Sequence, residues 1–223
     1  MQHWQHIHAD RVLWKATGGA ERRVMLSEPV EVEEWRLPEG GRIEFDGLGL
    51  IGSGATSLAG ERARAGALLW SRQGTTLEAL QGPLRLYRLS MPEELAPDAE
   101  RFVIDAGECA WQSFDDPAGR PTQPVQVLLE GPLSALRTRF APDFEAGEHW
   151  HDFDTLYFIT DGDMQFGNEG QYHVGDIRHV RGGFSYGPEK PGPDGVEFVL
   201  FSLGGAVALR WADLEPAPHG SLP

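Results

Sequence analysis

The segment GEHWHDFDTLYFITDG at residues 147–162, followed by GDIRHVRGGFSYGPE at residues 175–189, decides the predicted fold. Alternate side chains of a β-strand point to the same face. His149 and His151 are therefore predicted to share one face and to be able to bind a single metal ion. Glycines interrupt both segments, as is typical of turns between short strands.

The rest of the chain has the same character. Its 223 residues include 28 Gly and 16 Pro, and these separate short runs rich in Val, Leu, Ile and aromatic residues. Examples of such runs are Val30–Leu37, Val125–Leu129 and Val196–Leu203. Regularly spaced short strands with glycine turns predict an all-β sandwich or barrel.

A glycine spacing recurs in the two halves of the chain. The spacings are 14 and 8 residues in the first half and 13 and 8 in the second, at Gly52, Gly66 and Gly74, and at Gly162, Gly175 and Gly183. A duplication predicts two similar barrels in tandem, joined near Met91–Glu100, with domains at 1–95 and 96–223. A chance match between glycine-rich β segments is the alternative.

The two quoted segments resemble the signature motifs of the cupin superfamily. His149, His151 and Gly162 match the first motif, and Gly175 and Gly183 match the two glycines of the second. The resemblance implies double-stranded β-helix, or jelly-roll, barrels. Together with the repeat, it implies a bicupin whose N-terminal copy is degenerate, because that copy has no corresponding pair of histidines.

The resemblance also implies a divalent transition metal, namely Fe, Mn, Ni, Cu or Zn, bound by His149 and His151. Thr155 stands where the family has a glutamate ligand, and Tyr186 stands where it has a histidine ligand. A pocket without metal is therefore an open alternative. Three acidic residues are candidates for the missing oxygen ligand: Asp152, Asp154 and Glu189.

Several further residues are candidates for the substrate pocket. Tyr186 is predicted to act as a third ligand or a proton donor, with simple packing as the alternative. Thr155 and Tyr157 are predicted to point inward together, because they are two residues apart on one strand. Arg139 is predicted to bind a substrate carboxylate, with a surface position as the alternative.

Charge and composition exclude other functions. A formal net charge of -15 without clustered Lys or Arg argues against nucleic-acid binding. The longest uncharged apolar run, Phe198–Leu209, is shorter than the ~20 residues of a membrane span. Cys109 is the only cysteine and cannot form an internal disulfide. These features predict a cytoplasmic protein. The resemblance implies a small-molecule partner, and a homodimer is expected if the first copy forms a subunit interface. His3, His6 and His8 are predicted to lie in a solvated terminal segment, with a metal-binding cluster as the alternative.

The resulting hypothesis is a metal-dependent small-molecule enzyme of the dioxygenase, isomerase or lyase class. A fold does not determine a reaction. A non-catalytic ligand-binding protein or sensor with a degenerate metal site is therefore the main alternative, and a purely structural remnant is a third.

Overall fold

A computed structural model describes residues 3–114, 119–120 and 122–222. These residues form strands and turns, with single-turn 3-10 helices at Ala9–Arg11 and Glu93–Leu95. The all-β class predicted from the sequence is confirmed. No helix in the described ranges is long and apolar enough to cross a membrane. In chain order, the strands of the described residues are β1 (Trp4–Ile7), β2 (Lys15–Thr17), β3 (Ala20–Leu26), β4 (Glu31–Leu37), β5 (Arg42–Leu58), β6 (Glu61–Arg64), β7 (Leu68–Ser90), β8 (Arg101–Ile104), β9 (Trp111–Gln112), β10 (Val125–Leu129), β11 (Leu133–Phe140), β12 (His149–His151), β13 (Thr155–Phe166), β14 (Gly170–Tyr172), β15 (Ile177–Val180), β16 (Glu189–Leu203) and β17 (Leu209–Trp211).

The chain divides into two compact units. The first is Ala9–Cys109, and the second combines the described residues of Met1–His8 with those of Ala110–Pro223. These limits differ from the predicted 1–95 and 96–223. The reason is strand pairing between distant segments, because β1 pairs with β15 in the second unit and β8 pairs with β7 in the first.

The 9–109 unit is a sheet in the order β2-β3-β4-β7-β5-β6, with β8 also paired to β7. Its two long strands pair with each other along both edges. Leu48 in the middle of β5 faces Trp70 near the start of β7 and Leu89 near its end. In the same way, Leu77 in the middle of β7 faces both Ile43 near the start of β5 and Leu58 at its end. The apolar core of this unit includes Phe45, Ile51 and Leu58 of β5 and Leu69, Leu77 and Leu84 of β7.

The other unit contains a sheet in the order β1-β15-β13-β16-β11-β10-β9, with β14 paired to β13. A separate two-stranded sheet joins β12 to β17, with His149 opposite Trp211. Isolated bridges from Ala146 to Glu189 and from His149 to Tyr186 bring the start of β16 beside β12. In the strand pairing of the described residues, no sheet of either unit closes into a barrel.

One backbone hydrogen-bond pattern occurs in both units. The Gly66 N–H donates to the Ile51 carbonyl at 2.8 Å, and the Gly175 N–H donates to the Ile159 carbonyl at 2.9 Å. In each unit the isoleucine N–H donates back to the residue after the glycine, at 3.0 Å and 3.3 Å. Both glycines have positive φ angles, +85° and +97°, which favour glycine. The predicted glycine repeat thus has matched backbone geometry at this position.

A buried ionic cluster lies in the 9–109 unit. Glu34 on β4 is fully buried, and the Nε of Arg23 donates to its Oε2 at 2.7 Å. Arg85 also donates to the Glu34 carboxylate. The Arg23 guanidinium packs against the ring of Trp14, 4.3 Å from its centroid. The one carboxylate therefore compensates the charge of two arginines.

Replacing Glu34 by alanine is expected to lower the free energy of unfolding by about 3–5 kcal/mol, because it leaves the Arg23 charge buried and uncompensated. The matched control is Glu31→Ala, since Glu31 is exposed on the same strand, and its effect should stay within about 0.5 kcal/mol. Urea denaturation, monitored by hydrogen exchange of the β3 and β4 amides, measures the change in the free energy of unfolding for both variants. Equal effects of the two substitutions would contradict this account of the cluster.

Candidate functional site

Strand β12 carries two histidines on one face. His149 and His151 are buried, with 1% and 5% of their surface exposed. Trp150 between them points away, and its Nε1 donates to the Glu215 carbonyl at 2.8 Å. The alternation predicted from the sequence is therefore present, and it turns both imidazoles inward.

Backbone carbonyls fix the tautomer of each imidazole. The Nδ1 of His149 lies 2.8 Å from the Gly147 carbonyl, and the Nδ1 of His151 lies 2.7 Å from the Ala208 carbonyl. A carbonyl only accepts hydrogen bonds, so each Nδ1 carries the proton and donates. Each Nε2 is left with a free lone pair, as in metal-binding histidines.

A buried carboxylate approaches the first histidine. Glu189 begins β16, and its backbone exchanges hydrogen bonds with Ala146 at 2.9 Å and 3.0 Å, which positions it next to β12. Its Oε1 lies 3.8 Å from the Nε2 of His149. Within the described residues, this Oε1 is buried and has no hydrogen-bond partner. A buried carboxylate oxygen in this state has unused capacity for a proton or a cation.

Of the three acidic candidates for an oxygen ligand, the structure brings only Glu189 to the histidines. Asp152 is exposed and forms an ion pair with Arg210 at 2.7 Å. Asp154 pairs with His179 at 2.8 Å. Both lie between β12 and β13, and their carboxylates pair with Arg210 and His179 rather than with the two imidazoles.

Two tyrosines complete the polar part of the site. The hydroxyls of Tyr157 and Tyr186 are 2.5 Å apart, and both residues are buried. The Tyr186 ring contacts both imidazoles, with centroid distances of 4.7 Å to His149 and 6.1 Å to His151. Burial raises the pKa of the Tyr157 and Tyr186 phenols, so both remain protonated at neutral pH.

A buried arginine, which the sequence reasoning did not identify, lies behind the tyrosines. Arg178 on β15 has no exposed surface, and its Nε donates to the Glu169 carboxylate at 2.8 Å. Its guanidinium carbon is 4.1 Å from the centroid of the Tyr186 ring. Within the described ranges, its Nη1 has no hydrogen-bond partner. The sequence signal was an arginine within the short strand IRHV, which begins and ends with the apolar residues Ile177 and Val180.

Burial sets the charge of the site. Desolvation lowers the pKa of His149 to about 4 and that of His151 to about 3, so both imidazoles are neutral at pH 7. Desolvation also raises the pKa of Glu189 to about 7, although the Arg178 charge and a hydrogen bond from Tyr157 oppose this shift. Glu189 is therefore balanced between its acid and its carboxylate form near neutral pH.

The other residues predicted for the pocket have different outcomes. Thr155 is buried two residues before Tyr157 on β13, and its side chain leaves the strand on the same face. Arg139 is not brought to the site. More than half of its side chain is exposed, and it pairs with Glu197 at 2.5 Å across the sheet. Arg139 therefore has the surface position that was the alternative to substrate binding.

The donor set of His149, His151 and Glu189 fits a divalent transition metal. Two neutral imidazole nitrogens and one carboxylate oxygen are ligands of non-haem iron and of manganese. The donor atoms of these three residues are not all within 4.8 Å of one another. Among the described residues, the group of three that meets this distance is His6, His8 and Asp176.

A cavity of about 520 Å³ opens on the surface of the same unit. Its lining includes Glu148 and Ser185, the direct neighbours of His149 and Tyr186 in sequence. Alternate residues of an extended segment point in opposite directions. The side chains of the candidate centre accordingly do not line this cavity.

Comparison with solved structures identifies the fold. Oxalate decarboxylase of Lactobacillus farciminis in a formate complex superimposes with a TM-score of 0.71 at 11% identity, covering 94% of this chain and 88% of that one. A candidate dioxygenase from Nostoc punctiforme gives 0.68 at 13% identity, covering 94% and 87%. Both have the cupin fold. The fold of this chain is cupin-like.

A variant of Bacillus subtilis oxalate decarboxylase gives a TM-score of 0.67 at 12% identity, covering 92% of this chain and 78% of that one. The Bacillus subtilis protein carries Mn(II) centres. No protein-family model matches the chain, and no curated protein matches it. At these identities the similarity establishes the cupin-like architecture alone.

The Glu189→Gln variant is expected to change how stability depends on pH. The folded pKa of Glu189, about 7, lies above its ordinary value of 4.5, so the folded state binds this proton more tightly. This contribution to stability is complete below pH 4.5 and is lost as the pH rises through 7. The stability of the parent chain relative to Glu189→Gln should therefore fall by about 3 kcal/mol over that range.

Denaturation of both proteins in the presence of a chelator, at pH steps across that range, measures the difference. The contributions of His149 and His151 have the opposite sign, but they are common to both proteins and cancel. Glu145→Gln is the control, because Glu145 is half exposed and pairs with Lys190 on the surface. A difference between the parent chain and Glu189→Gln that is constant with pH would refute the assignment.

Proposed function

We propose that this chain is a metal-dependent, cupin-type enzyme that acts on a small molecule, with its centre in the unit that contains residues 110–223. The observation that carries the proposal is the buried Oε1 of Glu189, which lacks a hydrogen-bond partner among the described residues and faces the Nε2 of His149 at 3.8 Å. Removal of a carboxylate from water without a partner is costly. A bound cation offsets that cost.

The residues of the centre have distinct functions in this proposal. His149, His151 and Glu189 hold the ion, which supplies Lewis acidity or oxygen activation when bound. Tyr186 donates a hydrogen bond or a proton to the substrate, because its phenol is neutral and is oriented by the Tyr157 hydroxyl. Arg178 packs against the Tyr186 ring and holds it in place, with its own charge paired to Glu169.

Lyase and dioxygenase chemistry are the reaction classes that the similar structures suggest, since an oxalate decarboxylase and a candidate dioxygenase share the fold. Small carboxylic acids are accordingly the first substrates to test. A ligand-binding protein or sensor without turnover is the outcome that would remain if a metal binds and no substrate reacts.

We further propose that the chain is a bicupin with a degenerate first copy in the 9–109 unit. The support is the matched hydrogen-bond pattern at Gly66 and Gly175, together with the two-edged pairing of β5 with β7. A homodimer and a cytoplasmic location complete the proposal. The sheet edges of a cupin-like fold offer an interface for the dimer, and the lone Cys109 suits a reducing compartment.

Metal binding is the direct test of the centre. Protein purified without an affinity tag and dialysed against Mn²⁺, or against Fe²⁺ under anaerobic conditions, should retain a stoichiometric ion in this centre. His149→Ala and Glu189→Ala should each weaken binding by about 10- to 100-fold or more, because each removes a ligand. Elemental analysis and equilibrium dialysis measure content and affinity.

His173→Ala is the matched control, since His173 is largely exposed and pairs with Asp163. It should bind Mn²⁺ like the parent chain. The proposal fails if His149→Ala and Glu189→Ala bind as tightly as His173→Ala.

The function of Tyr186 is tested by Tyr186→Phe, which keeps the aromatic ring and its packing but removes the hydroxyl. Metal content should be unchanged. Turnover of a substrate found in a screen of small acids, beginning with oxalate, should fall about 10²- to 10⁴-fold if the hydroxyl transfers a proton. Unchanged turnover would assign Tyr186 to packing alone.

A further inference from the structure

We infer that His6, His8 and Asp176 form a second metal site, for Zn²⁺ or a similar divalent ion, that fastens strand β1 to β15. Among the described residues, this is the group in which three potential metal-binding atoms all lie within 4.8 Å of one another. The site is separate from His149 and His151 and does not depend on the function proposed for them.

The geometry of two antiparallel strands assembles this group. His6 and His8 form a second His-x-His sequence, with His6 on β1 and His8 directly after its end, and their ring centroids are 3.5 Å apart. β1 pairs with β15 in a register that sets Ile7 opposite Ile177. Extension of this register by one residue places His8 directly opposite Asp176. The sequence therefore brings two imidazoles and one carboxylate together across the strand pair.

The distances suit a bound ion. The Nε2 of His6 lies 3.0 Å from the Oδ2 of Asp176, and the Nδ1 of His8 lies 3.9 Å from the same oxygen. The backbone N–H of His173 also donates to this oxygen, at 3.1 Å, which fixes the carboxylate. The direct contact between His6 and Asp176 is the hydrogen bond that an ion between the two groups would replace.

Burial and stacking hold the ligands in place. Only 6% of the His6 side chain and 5% of the Asp176 side chain are exposed, whereas 29% of the His8 side chain reaches solvent. The His6 ring stacks on Tyr172 with a centroid distance of 3.5 Å and an interplanar angle of 15°. Two ligands are thus preorganised in the protein, and the third provides a path for the ion to enter.

The ligand set points to the class of ion. Two imidazole nitrogens and one carboxylate oxygen suit Zn²⁺, Ni²⁺ or Co²⁺ better than the hard ions Ca²⁺ and Mg²⁺, which prefer oxygen ligands. An ion here would cross-link a terminal strand to the segment that precedes β15. This differs from the solvated terminal segment expected from the sequence, because β1 is paired with β15 and the His6 side chain is only 6% exposed.

The test uses the full chain without an affinity tag, in a His149→Ala/His151→Ala background that removes the other candidate centre. Calorimetric titration with Zn²⁺ should show a single class of site. His8→Gln and Asp176→Asn should each lower the affinity at least about tenfold. His3→Gln is the matched control from the same segment, since the His3 ring stacks on Phe184 and lies outside the cluster, and it should bind Zn²⁺ unchanged.

A second measurement separates a structural site from casual binding at the surface. Hydrogen exchange of the β1 amides should slow when Zn²⁺ is added to the background chain, and should not respond in His8→Gln. His8 is partly exposed, so this variant is expected to fold. The inference is overturned if His8→Gln binds Zn²⁺ as tightly as the background chain, or if His3→Gln loses as much affinity as His8→Gln is expected to lose. It is also overturned if the exchange rates of the β1 amides do not change when Zn²⁺ is added. Because His149 and His151 are absent throughout, these outcomes are independent of the proposed enzyme centre.

Discussion

Exclusion of water is the constraint on which the chemistry of the 110–223 unit depends. His149, His151, Glu189, Tyr186 and Arg178 are each at most 5% exposed, so none is stabilised by solvent. The histidines respond by staying neutral, Glu189 by holding its proton up to about pH 7, and Arg178 by pairing with Glu169. In such surroundings a bound cation would favour the carboxylate form of Glu189, whose Oε1 has no hydrogen-bond partner among the described residues.

Much of the framework could be predicted because strand periodicity is a local property. The alternation of HWH at residues 149–151 was sufficient to place two imidazoles on one face, and the turn-rich composition was sufficient for the all-β class. Glu189 was only one of three acidic candidates, because its approach to His149 depends on a bridge between residues 146 and 189. Such pairings are determined by tertiary structure and leave no local signal.

The expectations that differ from the structure have the same origin. Parity shows that Arg139 shares a face with its alternate neighbours, but not whether that face is inside. Its side chain is mostly exposed, and its cross-strand partner is Glu197 rather than a residue of the candidate site. The glycine repeat is matched in backbone geometry at only some of its positions. Gly66 and Gly175 share a positive φ and a hydrogen-bond pattern, whereas positive φ occurs at Gly162 and Gly183 but not at Gly52 and Gly74.

The membership of β1 in the second unit has a consequence for biosynthesis. Ile7 leaves the ribosome 170 residues before its partner Ile177, and the whole 9–109 unit is made in the interval. That intervening unit is one uninterrupted stretch and can fold during translation, whereas the sheet that holds β1 cannot assemble until β13, β15 and β16 have been made. Until then the edge of β1 is unpaired, and a nascent chain in this state is exposed to mispairing with its neighbours on a polysome.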